Sequence, residues 1–268
     1  MKDDFYIGWQ DKAPKGFGRK GLFFFLGALL IAVLFTVIYV PSQQKFSNSI
    51  FEYGSLTELK GQLVDYPVIG LSTTVDGEKI TVPLVGFGKK GADAVMEHLV
   101  DQLESPVAAY EVTLRGTLIK YNGKVWMELT EENESILSYS RNSASAGPEV
   151  VNLGQQKIVG EIVDPKCFFG VMKPGFGKIH RSCAVRCISG GIPPVLAVRQ
   201  GNRYVDYYFL TNQNGNHPGR DILKFVGKSV TINGEVEQVN DWKNIRLGSD
   251  NIQNQIAMLP AMDIAVCK

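Results

Sequence analysis

No surplus of charge of either sign marks this sequence: 28 lysines and arginines stand against 27 aspartates and glutamates, a formal net charge of +1. A chain that grips a phosphate backbone needs a basic excess, so no nucleic-acid partner is expected. Histidine is scarce, at 3 residues, and cysteine hardly less so, at 4. There is no Gly-x-Ser-x-Gly, no His-Glu-x-x-His and no dinucleotide fingerprint, so the usual signatures of a serine hydrolase, a zinc protease and a nicotinamide enzyme are missing. "GFGKKG" at 86–91 is glycine-rich and basic but lacks the Walker spacing, and reads as a turn. These absences favour a non-catalytic role. Long apolar runs are lacking too, with one exception.

That exception is "GLFFFLGALLIAVLFTVIYV", residues 21–40. Uncharged over its whole length, it would span about 30 Å as a helix, the thickness of a bilayer core. A signal peptide has a shorter apolar region followed by small residues at a cleavage site, whereas "PSQQK" follows here. Lys2, Lys12, Lys15, Arg19 and Lys20 precede the run, and Lys45 alone falls just after it. The positive-inside rule then makes residues 1–20 a cytoplasmic stub and sends 41–268 outward. The expectation is a single-pass protein of a bacterial inner membrane with its bulk in the periplasm, touching lipid through 21–40. Phe5, Tyr6, Trp9 and Phe17 in the stub suit either interfacial anchoring or docking to a neighbouring membrane subunit.

The external part is written twice. "GQLVDYPVIG" from Gly61 and "GEIVDPKCFFG" from Gly160 share Gly, Gln/Glu, aliphatic, Val, Asp and a later glycine, Gly70 or Gly170. "YEVTLRGTLI" around Gly116 and "KSVTINGEVE" around Gly234 form a second matched pair. Segments such as "KITVPLVGF" alternate as half-buried strands do, and "GADAVMEHLVDQLES" puts Ala92, Val95, Met96, Leu99 and Leu103 on one helical face. Strands, a helix, then two more strands is the order of an OB-type barrel. The expected fold is therefore mainly β: an N-terminal transmembrane helix and two tandem OB-like small barrels. Their bounds are 47–139 and 151–255, with a linker at 140–150, a Cys/His insertion at 166–194 and a tail at 256–268.

The second copy carries what the first lacks. Cys167, His180, Cys183 and Cys187 arrive together on the insertion, in the spacing Cys-x12-His-x2-Cys-x3-Cys. Three thiols and an imidazole make a tetrahedral set for zinc or another soft ion. Against one ion taking all four, His180 and Cys187 lie about 10 Å apart along a regular helix. A disulfide is the second possibility. Cys183 and Cys187, four apart on a helix, are poor partners, but Cys167 could pair with either. The third is thiol redox chemistry, with Lys178, Arg181 and Arg186 lowering the pKa of Cys183 and His180 as its base. Cys267 is not counted as a ligand. His98 is expected to be solvated, and His217 is a possible extra ligand.

"GEIVDPKCFFGVMKPGFGKIHRSCAVRCISGGIPPVLAV" resembles a group of bacterial exported domains. These open with a Gly-x-aliphatic-Val-Asp strand ending in Cys, continue with a His or Cys stretch, and close with a "VTGTV"-like strand, here "VTINGEV". The resemblance covers about residues 157–250. It implies an OB-like barrel outside the membrane that binds a metal or serves a redox complex. The first copy is similar, more loosely, to anchored OB domains of haem chaperones in cytochrome c maturation. Their functional His followed by Tyr has no counterpart in the ending "MLPAMDIAVCK". The resulting expectation is an accessory or assembly subunit of a membrane redox system, partnered by other membrane or periplasmic subunits. It would hold zinc, copper, iron or a metal cofactor through Cys167, His180, Cys183 and Cys187. A thiol-disulfide oxidoreductase using Cys183 and Cys187, or a disulfide-stapled scaffold, are the rivals.

Overall fold

Residues 15–42, 47–104, 106–142, 147–201, 203–248 and 255–259 are described by a computed structural model. The stub before residue 15, Lys45, residues 143–146 of the linker and Cys267 lie outside them. The apolar run is helical: α1 covers Lys15–Ser42. Its apolar side chains are exposed, Phe24 80% and Ile38 71%. A helix apolar on every face needs a non-aqueous surrounding. By length and composition α1 can cross a membrane, although a signal sequence fits the same description.

Residues 47–264 form a separate unit with two closed barrels. The first runs β1 (Ile50–Phe51), β2 (Thr57–Val64), β3 (Gly70–Val75), β4 (Glu78–Val85), α2 (Asp93–Val100), β5 (Tyr110–Tyr121), β6 (Lys124–Leu129) and β7 (Ile136–Arg141). Five of these strands close in the order β2-β3-β4-β6-β5, with β4 and β6 parallel and the rest antiparallel. Asp76-Gly77 and Asn122-Gly123 turn the two hairpins with positive φ at both residues, which is why these dipeptides occupy them. Val95, Met96 and Leu99 of α2 are buried against the barrel core, as the helical face required.

The second barrel runs β8 (Val150–Val163), α3 (Gly177–Ser189), β9 (Val195–Gln200), β10 (Arg203–Asn212), β11 (Ser229–Val239), β12 (Trp242–Leu247) and β13 (Ile256–Met258). It closes as β8-β9-β10-β12-β11, the same order, again with one parallel pair, β10 and β12. A 3-10 turn, Arg220–Phe225, stands where α2 stands in the first copy.

The repeat holds at the level of register. Val64 pairs with Gly70 and Val163 with Val195; Gln62 pairs with Ser72 and Glu161 with Ala197. A Cβ on Gly61 would lie 2.5 Å from the Ser72 carbonyl oxygen, and one on Gly160 2.7 Å from that of Ala197. The two glycines recur because neighbouring backbone passes too close for a side chain. Gly170 departs from the match with Gly70. The register makes Val195 the counterpart of Gly70, and Gly170 lies in the insertion, its Cβ position 2.8 Å from the Ile50 carbonyl oxygen of the first barrel.

A third core joins the barrels. Val85, Ile119 and Trp126 of the first pack with Val163, Phe168, Phe169, Cys187, Ile192, Phe209 and Trp242 of the second. Trp126 is fully buried, its ring 5.5 Å from those of Phe209 and Trp242. Burying one such ring contributes roughly 1.5–3 kcal/mol. Around this core Trp242 Nε1 donates to the Thr81 carbonyl oxygen at 2.9 Å, and Thr81 N donates to Asp241 Oδ1 at 2.8 Å.

Candidate metal centre

The insertion fills residues 164–194, where the first barrel has only 65–69 between the equivalent strands. It opens with Asp164, which continues β8 and is the repeat partner of Asp65. Asp65 is exposed; Asp164 has no exposed surface. Asp164 Oδ1 accepts from Lys166 N at 3.0 Å, and its carbonyl oxygen accepts from Phe168 N at 2.9 Å. This folds the chain into a π turn, Cys167–Val171, closed by Met172 N donating to the Cys167 carbonyl oxygen at 3.1 Å. The turn directs Cys167 inward.

The chain returns at Gly175, whose Cβ position is blocked by the Cys167 carbonyl, and starts α3 at Gly177 with φ +73°. Gly177 N donates to Glu161 Oε1 at 2.5 Å, which pins the start of α3 to β8. Along α3, His180, Ala184, Cys187 and Ile188 are buried, the stripe a 3.6-residue period makes, and Cys183 is partly exposed beside it.

Two groups of ligand atoms result. The Cys167 and Cys183 sulfurs and a His180 ring nitrogen lie within 4.8 Å of one another, and so do an Asp164 oxygen and the Cys167 and Cys187 sulfurs. Ligands bound tetrahedrally at zinc–sulfur distance sit about 3.8 Å apart, so small adjustments would close either group on an ion. Cys167 belongs to both groups. Cys187 turns to the Asp164 side, as the helical distance from His180 requires.

Within these groups, two buried polar atoms lack a hydrogen-bond partner: His180 Nε2 and Asp164 Oδ2. Native interiors rarely leave such atoms unpaired. Burial pushes the Asp164 carboxyl up from the usual range, partly offset by the weakly donating Cys167 and Cys187 thiols. Hydrogen bonding to Cys187, then burial and the Asp164 charge, push the Cys167 thiol far up. Burial pushes Cys183 up as well, with Lys89 the cation that opposes it. The lowering of Cys183 expected from Lys178, Arg181 and Arg186 is thus outweighed by burial. Arg181 instead donates from Nε to the Val226 carbonyl oxygen at 3.1 Å. Burial lowers His180, which keeps the imidazole neutral and its lone pair free for a metal.

Cys167, Cys183 and Cys187 are free thiols. His98 is exposed on α2, as expected. His217 accepts from Gly219 N through Nδ1 at 3.1 Å and joins neither ligand group among the described residues.

The first barrel presses directly on this site. "GFGKKG" is a turn, and its Gly91 N donates to the Gly190 carbonyl oxygen at the end of α3 at 2.9 Å. A Cβ on Gly190 would collide with the Lys89 carbonyl oxygen. Lys166, between Asp164 and Cys167, is 3% exposed; its Nζ donates to the Gly88 carbonyl oxygen at 2.6 Å, to that of Gly86 at 3.0 Å, and to Glu128 of β6. Sequence reasoning missed Asp164 and Lys166. The matched "VD" of the two copies was the available signal for Asp164.

Comparison with protein-family models, with curated proteins and with solved structures finds no match.

Proposed function

We propose that this chain is a membrane-anchored, extracytoplasmic metal-binding protein that serves a membrane redox system as an accessory or assembly subunit. The observation that carries the metal reading is the convergence of Cys167, His180 and Cys183 within 4.8 Å, with the buried His180 Nε2 lacking any other partner. Two thiolates and an imidazole suit zinc or copper(I), and the donor set is too sulfur-rich for magnesium or calcium. Three protein ligands leave a fourth position for water or for a partner's group, the arrangement of an exchangeable or reactive site rather than of a closed structural one. Anchoring is supported by the uninterrupted apolar surface of α1, and orientation by the basic residues ahead of it.

A dithiol oxidoreductase built on Cys183 and Cys187 has less support. Burial pushes Cys183 up, away from the thiolate that exchange requires, and Cys187 is only 2% exposed. The deciding measurement is elemental analysis of the full chain purified from its native membrane under reducing conditions, with co-purifying subunits identified. Stoichiometric zinc or copper, lost in His180→Ala, is the expected result. A protein that carries no such metal and takes up neither zinc(II) nor copper(I) when they are added refutes the metal reading.

A further inference from the structure

We propose that the insertion holds two metal ions bridged by the Cys167 thiolate, one between Cys167, His180 and Cys183 and the other between Asp164, Cys167 and Cys187. This rests on the metal-site reading above and deepens it.

Each group is a three-ligand set in its own right, and the shared atom belongs to the side chain the π turn directs inward between the others. The two residues with an unpaired buried atom are divided between the groups: His180, whose Nε2 is unpaired, belongs to one, and Asp164, whose Oδ2 has at most the weakly donating thiols, to the other. A single ion would answer one of them and leave the second buried and unpaired. Two ions answer both. The helix also separates the ends of the set. His180 and Cys187 are seven positions apart, about 10 Å along the axis, so one ion reaching both would unwind α3, which runs unbroken through them.

Charge points the same way. Asp164 is fully buried, Cys187 is 2%, His180 4% and Cys167 5% exposed, so a net charge here would be poorly solvated. Three thiolates and one carboxylate carry four negative charges, which two divalent ions neutralise. One divalent ion among the same groups would leave two negative charges, or the equivalent protons, in the interior. On loading, the Cys167, Cys183 and Cys187 thiols and any proton on Asp164 give their protons to solvent, and sulfur–metal bonds replace sulfur–hydrogen bonds. A thiolate has lone pairs enough to bind two ions, and the ligands suit soft divalent ions of the zinc class.

The test is titration of the reduced, metal-free full chain in detergent with cadmium(II), followed by thiolate-to-metal charge-transfer absorption, bound-metal analysis and cadmium NMR. Two equivalents per chain and two coupled cadmium resonances are expected. Asp164→Asn should retain one equivalent with the His180-side resonance, His180→Ala one equivalent with the Asp164-side resonance, and Cys167→Ser should lose the coupling. One equivalent in the unmodified chain overturns the two-ion proposal and leaves the single-ion reading standing, whatever the variants do. No binding at all overturns both.

Discussion

Lys166→Met removes the one fully buried cation among the described residues, which lies between the barrels. Its side chain is 4% exposed, and the ammonium meets Glu128, whose side chain is 10% exposed, together with the carbonyl oxygens of Gly86 and Gly88. Methionine fills a similar volume, so the loss is electrostatic. Glu128 keeps only a long hydrogen bond from Gly88 N at 3.3 Å and is left as a buried, uncompensated charge. Breaking one side of a buried pair costs about 3–5 kcal/mol. For a unit of this size that corresponds to a fall in melting temperature of about 6–20 °C. Replacing both partners, Lys166→Met with Glu128→Met, should return at least half of the loss, since an apolar pair of similar volume is often neutral. The assay is urea unfolding of the full chain in detergent, followed by tryptophan fluorescence, because Trp126 and Trp242 sit in the core between the barrels. A single variant within about 1 kcal/mol of the parent, or a double variant worse than the sum of the singles, refutes the claim that this pair is desolvated and joins the barrels.

Gly190→Ala places a methyl against the Lys89 carbonyl oxygen, backbone that cannot step aside, and should destabilise the two-barrel unit by about 1–3 kcal/mol. Gly147→Ala, with nothing within 4 Å, should leave it unchanged in the same melting experiment. Glu161 has its carboxyl pushed up, chiefly by burial, against opposing effects of Gly177 N and Arg199. A folded-state pKa above the unfolded value means that its stabilising share is complete below the ordinary carboxylate range, about 4.3, and is lost as pH rises through the raised value. Metal-free protein should therefore lose stability over that interval, and Glu161→Gln, which keeps an oxygen to accept from Gly177 N, should flatten the slope. An unchanged slope in the variant would assign the effect to another group.

The barrels were legible in the sequence because their constraints are local. Gly61 and Gly160 meet neighbouring backbone, Asn122-Gly123 turns a hairpin, and the face of α2 shows its 3.6 period. The core between the barrels was not legible. Strand β10 has Tyr207 through Thr211 buried in succession, and β6 has Val125 through Leu129, because each touches its own barrel on one face and the other barrel on the second. Alternation reports one buried face and is silent about a second. The ligand set shows the same limit. Cys183 and Cys187 are both visible in the pattern, but their division between two groups depends on where the π turn puts Cys167. Asp164 and Asp65 stand in the same sequence context, and only the 164–194 segment folding over the first of them makes it a buried carboxylate.

That segment ties the two barrels together although one carries the candidate ligands. Phe168 and Phe169 follow Cys167 directly, and both pack into the core shared with Ile119 and Trp126 of the first barrel. The end of α3 rests on the backbone of 86–91, and Lys166 is held by that turn and by Glu128. The second barrel supplies Asp164 and the candidate ligands of α3, while the first supplies the surface that fixes the direction of Cys167. A metal site needs its ligands held to within a few tenths of an ångström, and a 31-residue excursion from a barrel rim does not achieve this alone. The cysteine-free copy therefore shapes the candidate site through its contacts with the side chains flanking Cys167, and if the site holds a metal as proposed, changes at Trp126 or Glu128 should alter its affinity without touching a candidate ligand.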